Sequence, residues 1–270
     1  MAQTIVYPTF KDAQYLYSNY ATLQNISVLS STLNEAIDSS FLSTMAEKSI
    51  REIYNQIILK YYPNEICIKS SFIKQILLPG KTHVTIFELP IGSSRADLCK
   101  INGKSIAYEI KTDLDNLSRL NKQITDYYKI FEEVYVICSE SNVDSVKSIL
   151  PEHCGIYTYK QNRLGNYKFK LLRYSTECDK LNSLKQLQLL RKKELLTNFK
   201  IKESFNNRNE IIDYIASHYT SQQINKKFKS ILKYRFKEQW DFLKQNHNNI
   251  CEIDYQWFFK NQIDPSRIYK

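Results

Sequence analysis

At 270 residues and 43% hydrophobic content the chain can bury a core of its own, and no apolar run approaches the roughly 18 residues that cross a bilayer. The six cysteines, Cys67, Cys99, Cys138, Cys154, Cys178 and Cys251, form no C-x-x-C pair, and the four histidines complete no zinc pattern. This excludes a disulfide scaffold and predicts reduced thiols in a soluble, cytoplasmic protein, an expectation that the N-terminus shares because it shows no export signal. The net charge of +10 is uneven: residues 1–159 hold 15 Lys+Arg against 17 Asp+Glu, and residues 160–270 hold 23 against 11. A basic half beside a slightly acidic one suits a protein that grips a polyanion with one part and does chemistry with the other.

Residues 1–40 are polar, with weak helical periodicity, and read as an N-terminal extension. From Phe41 to Tyr62 the residues Met45, Ile50, Tyr54, Ile57, Ile58 and Tyr61 recur at helical spacing, and Pro63 ends that helix. Asn64 then caps a second helix, Glu65 to Leu78, which Pro79 and Gly80 stop. Strands are predicted over 82–89, 95–101 and 104–111, a helix within 114–131, and a buried central strand at VYVIC, 134–138. A short helix near 143–150 and a hairpin, GIYTYK then YKFKLLRY, complete a domain over 41–175. Beyond residue 176 glycine disappears, and Leu, Lys, Gln and Asn dominate amphipathic segments, so 176–270 reads as a basic helical domain.

The stretch SRADLCKINGKSIAYEIKTDLD poses a register problem. A two-residue turn at Asn102 and Gly103 would put Asp97 on the face opposite Glu109. A three-residue loop, Ile101 to Gly103, pairs Lys100 with Lys104 and Asp97 with Ala107, and sets Leu98 against Ile106. The second register gathers Leu98, Ala96, Tyr108 and Ile110 on one apolar face, and Asp97, Glu109 and Lys111 on the other. Two close carboxylates repel unless a cation joins them, and an oxygen-only set suits Mg²⁺ or Mn²⁺. A lysine beside such a cation equips the group for phosphodiester hydrolysis.

Asp97 followed by Glu109-Ile110-Lys111, among helices and strands in this order, resembles the PD-(D/E)XK nuclease superfamily. The resemblance covers about residues 45–138 and implies a restriction-endonuclease-like core, α-β-β-β-α-β, with a mixed sheet flanked by helices and a C-terminal helical domain. ELPIGSSRAD and YEIKTDLDNLSRLNKQ are also similar to motifs of a family of small, mostly uncharacterised bacterial proteins in that superfamily, E-L-x-x-G-x-x-R-A-D and Y-E-I-K-T-D-x-D-x-L-x-R-L-x-x-Q. The resemblance implies that Asp97, Glu109 and the Ile110 carbonyl bind the metal and that Lys111 is the catalytic lysine. Glu88 and Glu65 compete for the role of a further acidic ligand, with Glu88 preferred. Gln123 and Tyr127, on one helix face with Arg119, resemble the Q-x-x-x-Y motif of RecB-like nucleases, which contacts DNA backbone or braces the site.

Phosphate contacts are expected from Arg95, Arg119, Tyr127, Arg191, Lys192, Lys193, Lys226 and Lys227, with Lys229, Lys233, Arg235 and Lys237 nearby. The aromatic cluster Trp240, Phe242, Tyr255, Trp257, Phe258 and Phe259 reads as core or interface. The expectation is therefore a Mg²⁺- or Mn²⁺-dependent deoxyribonuclease of phage defence or a mobile element, with DNA as partner and RNA also compatible. The C-terminal helices leave room for a homodimer or a protein partner. The alternative is a catalytically silent nuclease-fold DNA-binding adaptor.

Overall fold

The computed structural model of the chain describes residues 4–80, 82–176 and 180–269. It divides into two compact units: Met1–Pro79 with Lys160–Phe169 and Phe242–Lys270, and Gly80–Tyr159 with Lys170–Asp241. The expected basic domain 176–270 is thus shared between the units, and residues 1–40 belong to the first of them. The reason lies in one long helix, Ser221–Asn246, which runs across the boundary.

The first unit begins with α1 (Phe10–Ser18), α2 (Ile26–Ala36) and α3 (Ser39–Leu42). These were hidden by a polar surface, yet each start is capped: Thr9 and Asp12 form a capping box, and Asn25 and Asp38 accept first-turn N–H groups. The single helix expected over 41–62 is corrected to α3, a 3₁₀ turn at Ser43–Met45, and α4 (Ile50–Tyr61). Ser49 and Glu52 form a second capping box that restarts the chain there. Asn64 caps α5 (Glu65–Phe72) through the Cys67 N–H, as its position predicted, and the helix then widens into a π segment, Ile73–Leu77. Leu16, Leu29, Tyr54, Ile57, Ile58 and Ile68 form the core of this unit.

In the second unit β1 (Val84–Ile91), β2 (Ser94–Asn102) and β3 (Lys104–Lys111) run antiparallel in sequence. A 3₁₀ turn, Leu117–Arg119, leads into α6 (Leu120–Tyr128), which packs on β2 and β4. β4 (Glu133–Ser139) lies parallel to β3, and after α7 (Val143–Ile149) β5 (Gly155–Gln161) lies parallel to β4. β6 (Tyr167–Arg173) completes a mixed six-stranded sheet in the order β1 to β6, flanked by helices; the end of β5 and the start of β6 fall in Lys160–Phe169, assigned to the first unit. The protein is therefore a mixed α/β fold. VYVIC is its buried central strand.

The β2–β3 loop differs from both registers weighed above. Asn102 pairs with Lys104 and Lys100 with Ile106, so Leu98 faces Tyr108 and not Ile106. Gly103, at φ 72°, forms the apex of a three-residue loop, Asn102 to Lys104, instead of ending one that starts at Ile101. The loop length remains odd, so the faces stay as the apolar pattern required. Continuing the ladder sets Asp97 opposite Glu109, where a diagonal placement was expected. On the apolar face, Tyr108 and Tyr135 stack at 5.6 Å, with Tyr157 next to Tyr135 at 5.4 Å. A Cβ at Gly155 would meet the Tyr135 ring at 2.2 Å, so glycine makes room for this row.

α8 (Ser183–Gln188), α9 (Lys192–Asn198), α10 (Arg208–His218) and most of α11 (Ser221–Asn246) also belong to the second unit. The side chain of Gln186 donates to the Ile130 carbonyl, and Asn225 and Lys229 reach Glu132, which ties α8 and α11 to the turn before β4. α12 (Tyr255–Asn261) and α13 (Pro265–Ile268) close the first unit. Of the aromatics read as core or interface, Trp240 in the second unit and Tyr255, Phe258 and Phe259 in the first are buried, and Phe242 and Trp257 are half-buried. The five described cysteines are free and buried; Cys178 lies outside the described residues. Among the described residues no helix is long and apolar enough to cross a membrane.

Candidate active site

Alternation on β2 and β3 turns Asp97, Glu109 and Lys111 to the face that α6 covers, and all three are buried. Asp97 accepts the Ile110 N–H at Oδ2 over 2.7 Å, a bond across the two strands. Glu109, 1% exposed, is held by three donors: Lys111 Nζ at 2.7 Å, Gln123 Nε2 at 2.6 Å and the Tyr127 hydroxyl at 2.6 Å. The four-residue spacing of Gln123 and Tyr127 on α6 is what lets both reach one carboxylate. The Tyr127 hydroxyl also lies 2.7 Å from the Arg95 carbonyl, so one proton serves two acceptors.

Glu88 lies on the same face, because the register on either side of it sets it opposite Asp97. Its φ is 54°, a left-handed value that costs a non-glycine residue about 1–2 kcal/mol. The β1–β2 ladder pairs Phe87 with Leu98 and Leu89 with Ala96 and passes over Glu88, which stands opposite Asp97. Carboxylate oxygens of the two come within 4.8 Å. Arg95 Nε sits 2.5 Å from Glu88 Oε2. Glu65 belongs to the first unit, in the first turn of α5, where it forms an ion pair with Lys69 at 2.6 Å.

Burial opposes the Lys111 charge, but the Glu109 charge and hydrogen bond, with Asp97 and Asp115 behind them, outweigh it and hold the lysine pKa above its ordinary value. Burial, then the charge of Glu109 and its hydrogen bond, raises the Tyr127 phenol. Burial, reinforced by Asp97, Glu88 and Glu109, pushes the Cys99 thiol well up and leaves it unreactive.

The loop after β3 is organised by two aspartates that were quoted in the motif without a role. Asp115 accepts the Thr112 N–H and hydroxyl, each at 2.7 Å, and Asp113 accepts the Ser139 hydroxyl at 2.5 Å. Thr-Asp-x-Asp after a strand is a local turn signal that could have located them. Asp126 pairs with Lys129 at 2.9 Å and takes a hydrogen bond from Ser94, whereas Arg119 is exposed and makes no ion pair among the described residues.

The expected phosphate contacts separate into two groups. Arg95, Arg119, Arg191, Lys192, Lys193 and Lys226 are exposed. Tyr127 is fully buried, so it braces Glu109 and does not face a phosphate. Lys227 is half-buried and donates to the Asn198 carbonyl at 2.7 Å, over the Phe199 ring. Of their neighbours, Lys229 pairs with Glu132, Arg235 with Glu194 and Lys237 with Asp241. Charge counts from sequence overstate the free basic surface for this reason.

A family model described as Bacteriophage P4 protein cII matches residues 60–256, a span that holds every candidate site residue named above. The chain is 28% identical over 180 residues to "Protein cII" of Enterobacteria phage P4, across 65% of this chain and 68% of that protein. No solved structure matches it. With almost three quarters of its length under one model, the chain belongs to the Bacteriophage P4 protein cII family.

Proposed function

We propose that the protein is a metal-dependent nuclease with a restriction-endonuclease-like core, hydrolysing DNA phosphodiester bonds. The observation that carries this reading is the burial of Asp97, Glu109 and Lys111 on one sheet face, with Glu88 opposite Asp97 and their carboxylate oxygens within 4.8 Å. The order of helix, three antiparallel strands, helix and parallel strand supports the same core. A relative encoded by a phage fits carriage by a mobile element.

The residues fit a divalent cation. Asp97 and Glu88 are all-oxygen ligands held close in a poorly solvated place, where two negative charges call for a positive one. Gln123 Oε1 is a further buried oxygen without a hydrogen-bond partner. Asp97 and Glu88 would hold Mg²⁺ or Mn²⁺; Glu109, whose oxygens take Lys111, Gln123 and Tyr127, and the Ile110 carbonyl are the further ligands that the resemblance implies. When bound, the ion supplies a Lewis acid for a phosphoryl oxygen and lowers the pKa of water. Lys111, whose Nζ donates to Glu109 at 2.7 Å, would set an ammonium against the negative charge that develops at phosphorus. Gln123 and Tyr127 position Glu109, and Asp97 is oriented by the Ile110 N–H.

The purified protein, with Asp97→Ala and Lys111→Ala beside it, is to be incubated with Mg²⁺ or Mn²⁺ on linear, circular and single-stranded DNA and on RNA. Metal-dependent cleavage that both substitutions abolish is the expected result. Equal cleavage by all three proteins sinks the site assignment. Binding without cleavage under every condition replaces the nuclease with a DNA-binding adaptor.

A further inference from the structure

Arg95 places a cation on the acidic pair itself. Its backbone is anchored, because its carbonyl faces the Tyr127 hydroxyl, while its side chain is 64% exposed. The guanidinium reaches inward to Glu88, whose own side chain is only 8% exposed. Glu88 stands opposite Asp97 with carboxylate oxygens of the two within 4.8 Å, so its carboxylate lies at the place where the proposed cation would bind. A guanidinium stays charged at any physiological pH, and its charge beside Oε2 repels a second cation brought to the same carboxylate. Arg95 and a divalent ion therefore compete for Glu88.

We propose that Arg95 is an electrostatic latch: it holds Glu88 until a divalent cation displaces it, and the released guanidinium then binds a phosphate of the nucleic acid at the mouth of the site. This rests on the nuclease reading above. The planar fork of a guanidinium suits two phosphate oxygens at once, and the exposed stem gives it room to turn outward. Metal and nucleic acid then help each other bind, by equal factors because coupling between sites is reciprocal. The Arg in E-L-x-x-G-x-x-R-A-D acquires a role distinct from general charge attraction.

The test compares the unaltered chain with Arg95→Met, Arg95→Lys and Glu88→Gln. Mn²⁺ uptake is measured by titration calorimetry without nucleic acid. Binding of a short labelled duplex is measured by anisotropy in EDTA and in Ca²⁺. Arg95→Met should take up Mn²⁺ about 10-fold more tightly, and the gain in duplex affinity on adding Ca²⁺ should shrink by a similar factor. Arg95→Lys should fall between the two. Glu88→Gln should bind duplex more tightly in EDTA, since the guanidinium is released. If the unaltered chain takes up Mn²⁺ and Arg95→Met binds it equally or less tightly, the latch is wrong and the nuclease reading stands. If the unaltered chain takes up no Mn²⁺, both fail.

Discussion

Buried carboxylates do different work in the two units. In the first, Asp254 is 1% exposed and accepts three hydroxyls at 2.7 Å, from Tyr20, Thr22 and Tyr269. Arg51 lies against the Tyr20 and Tyr269 rings and donates to the Gln24 carbonyl. That network is closed: one acid draws together segments far apart in sequence. In the second unit, Asp97 and Glu88 crowd within 4.8 Å, a lysine and an arginine serve as counter-ions, and Glu88 has a left-handed backbone conformation. A carboxylate satisfied by neutral hydroxyls is scaffold. Carboxylates pressed together with cations set on them are what the proposed ligand site requires.

The largest effect should come from Asp97→Ala: metal-dependent cleavage falls on the order of 10³-fold or more, while the chain stays folded at a cost of about 1–3 kcal/mol for the Ile110 N–H that loses its acceptor. A variant that still cleaves would erase the distinction between the two clusters. Asp254→Ala should do the reverse. It should lose about 3 kcal/mol of stability, read as a lower urea midpoint at constant slope, and keep Mn²⁺ uptake while folded. Tyr127→Phe tests a residue that resembles the scaffold type but sits in the site. Removing one hydroxyl from a buried carboxylate should cost about 1.5–3 kcal/mol of stability and about 10-fold in Mn²⁺ affinity.

A pH series sharpens the contrast further. Burial raises the Asp254 pKa above the ordinary 3.8, against its hydroxyl partners and Arg51. The folded form therefore holds the proton more tightly than the unfolded chain. This contribution is complete below the ordinary value and is lost as pH rises through the folded one. Asp254→Asn should remove that part of the pH dependence, so the stability of the unaltered chain relative to the variant declines over the same interval. The smallest effects belong to the exposed cations. Lys193→Ala or Lys226→Ala should leave stability within about 0.5 kcal/mol and reduce the salt slope of DNA binding by about 0.9 for each phosphate no longer neutralised.

Much of the second unit was legible because period-two alternation, a glycine in the turn and the continuous apolar run of β4 are local signals. The same alternation brought Asp97, Glu109 and Lys111 to one face, since loops of odd length share that outcome wherever their apex falls. The place of the apex was not legible, because Asn102 and Gly103 serve either loop. The helices α1 and α2 were underestimated, because only a few of their residues, among them Leu16, Leu29 and Leu33, are buried on otherwise polar sequences.

Sequence by itself determined the strands of the sheet centre, the acidic and basic residues at hand, and the face each strand residue takes. Tertiary structure alone decided that Glu88 leaves its expected strand geometry, that Arg95 is set on it, and that Lys227, Lys229 and Arg235 are engaged within the protein. The reason is physical. Alternation and capping act over a few residues, whereas the partner of a long charged side chain depends on what distant segments bring within about 3 Å of it.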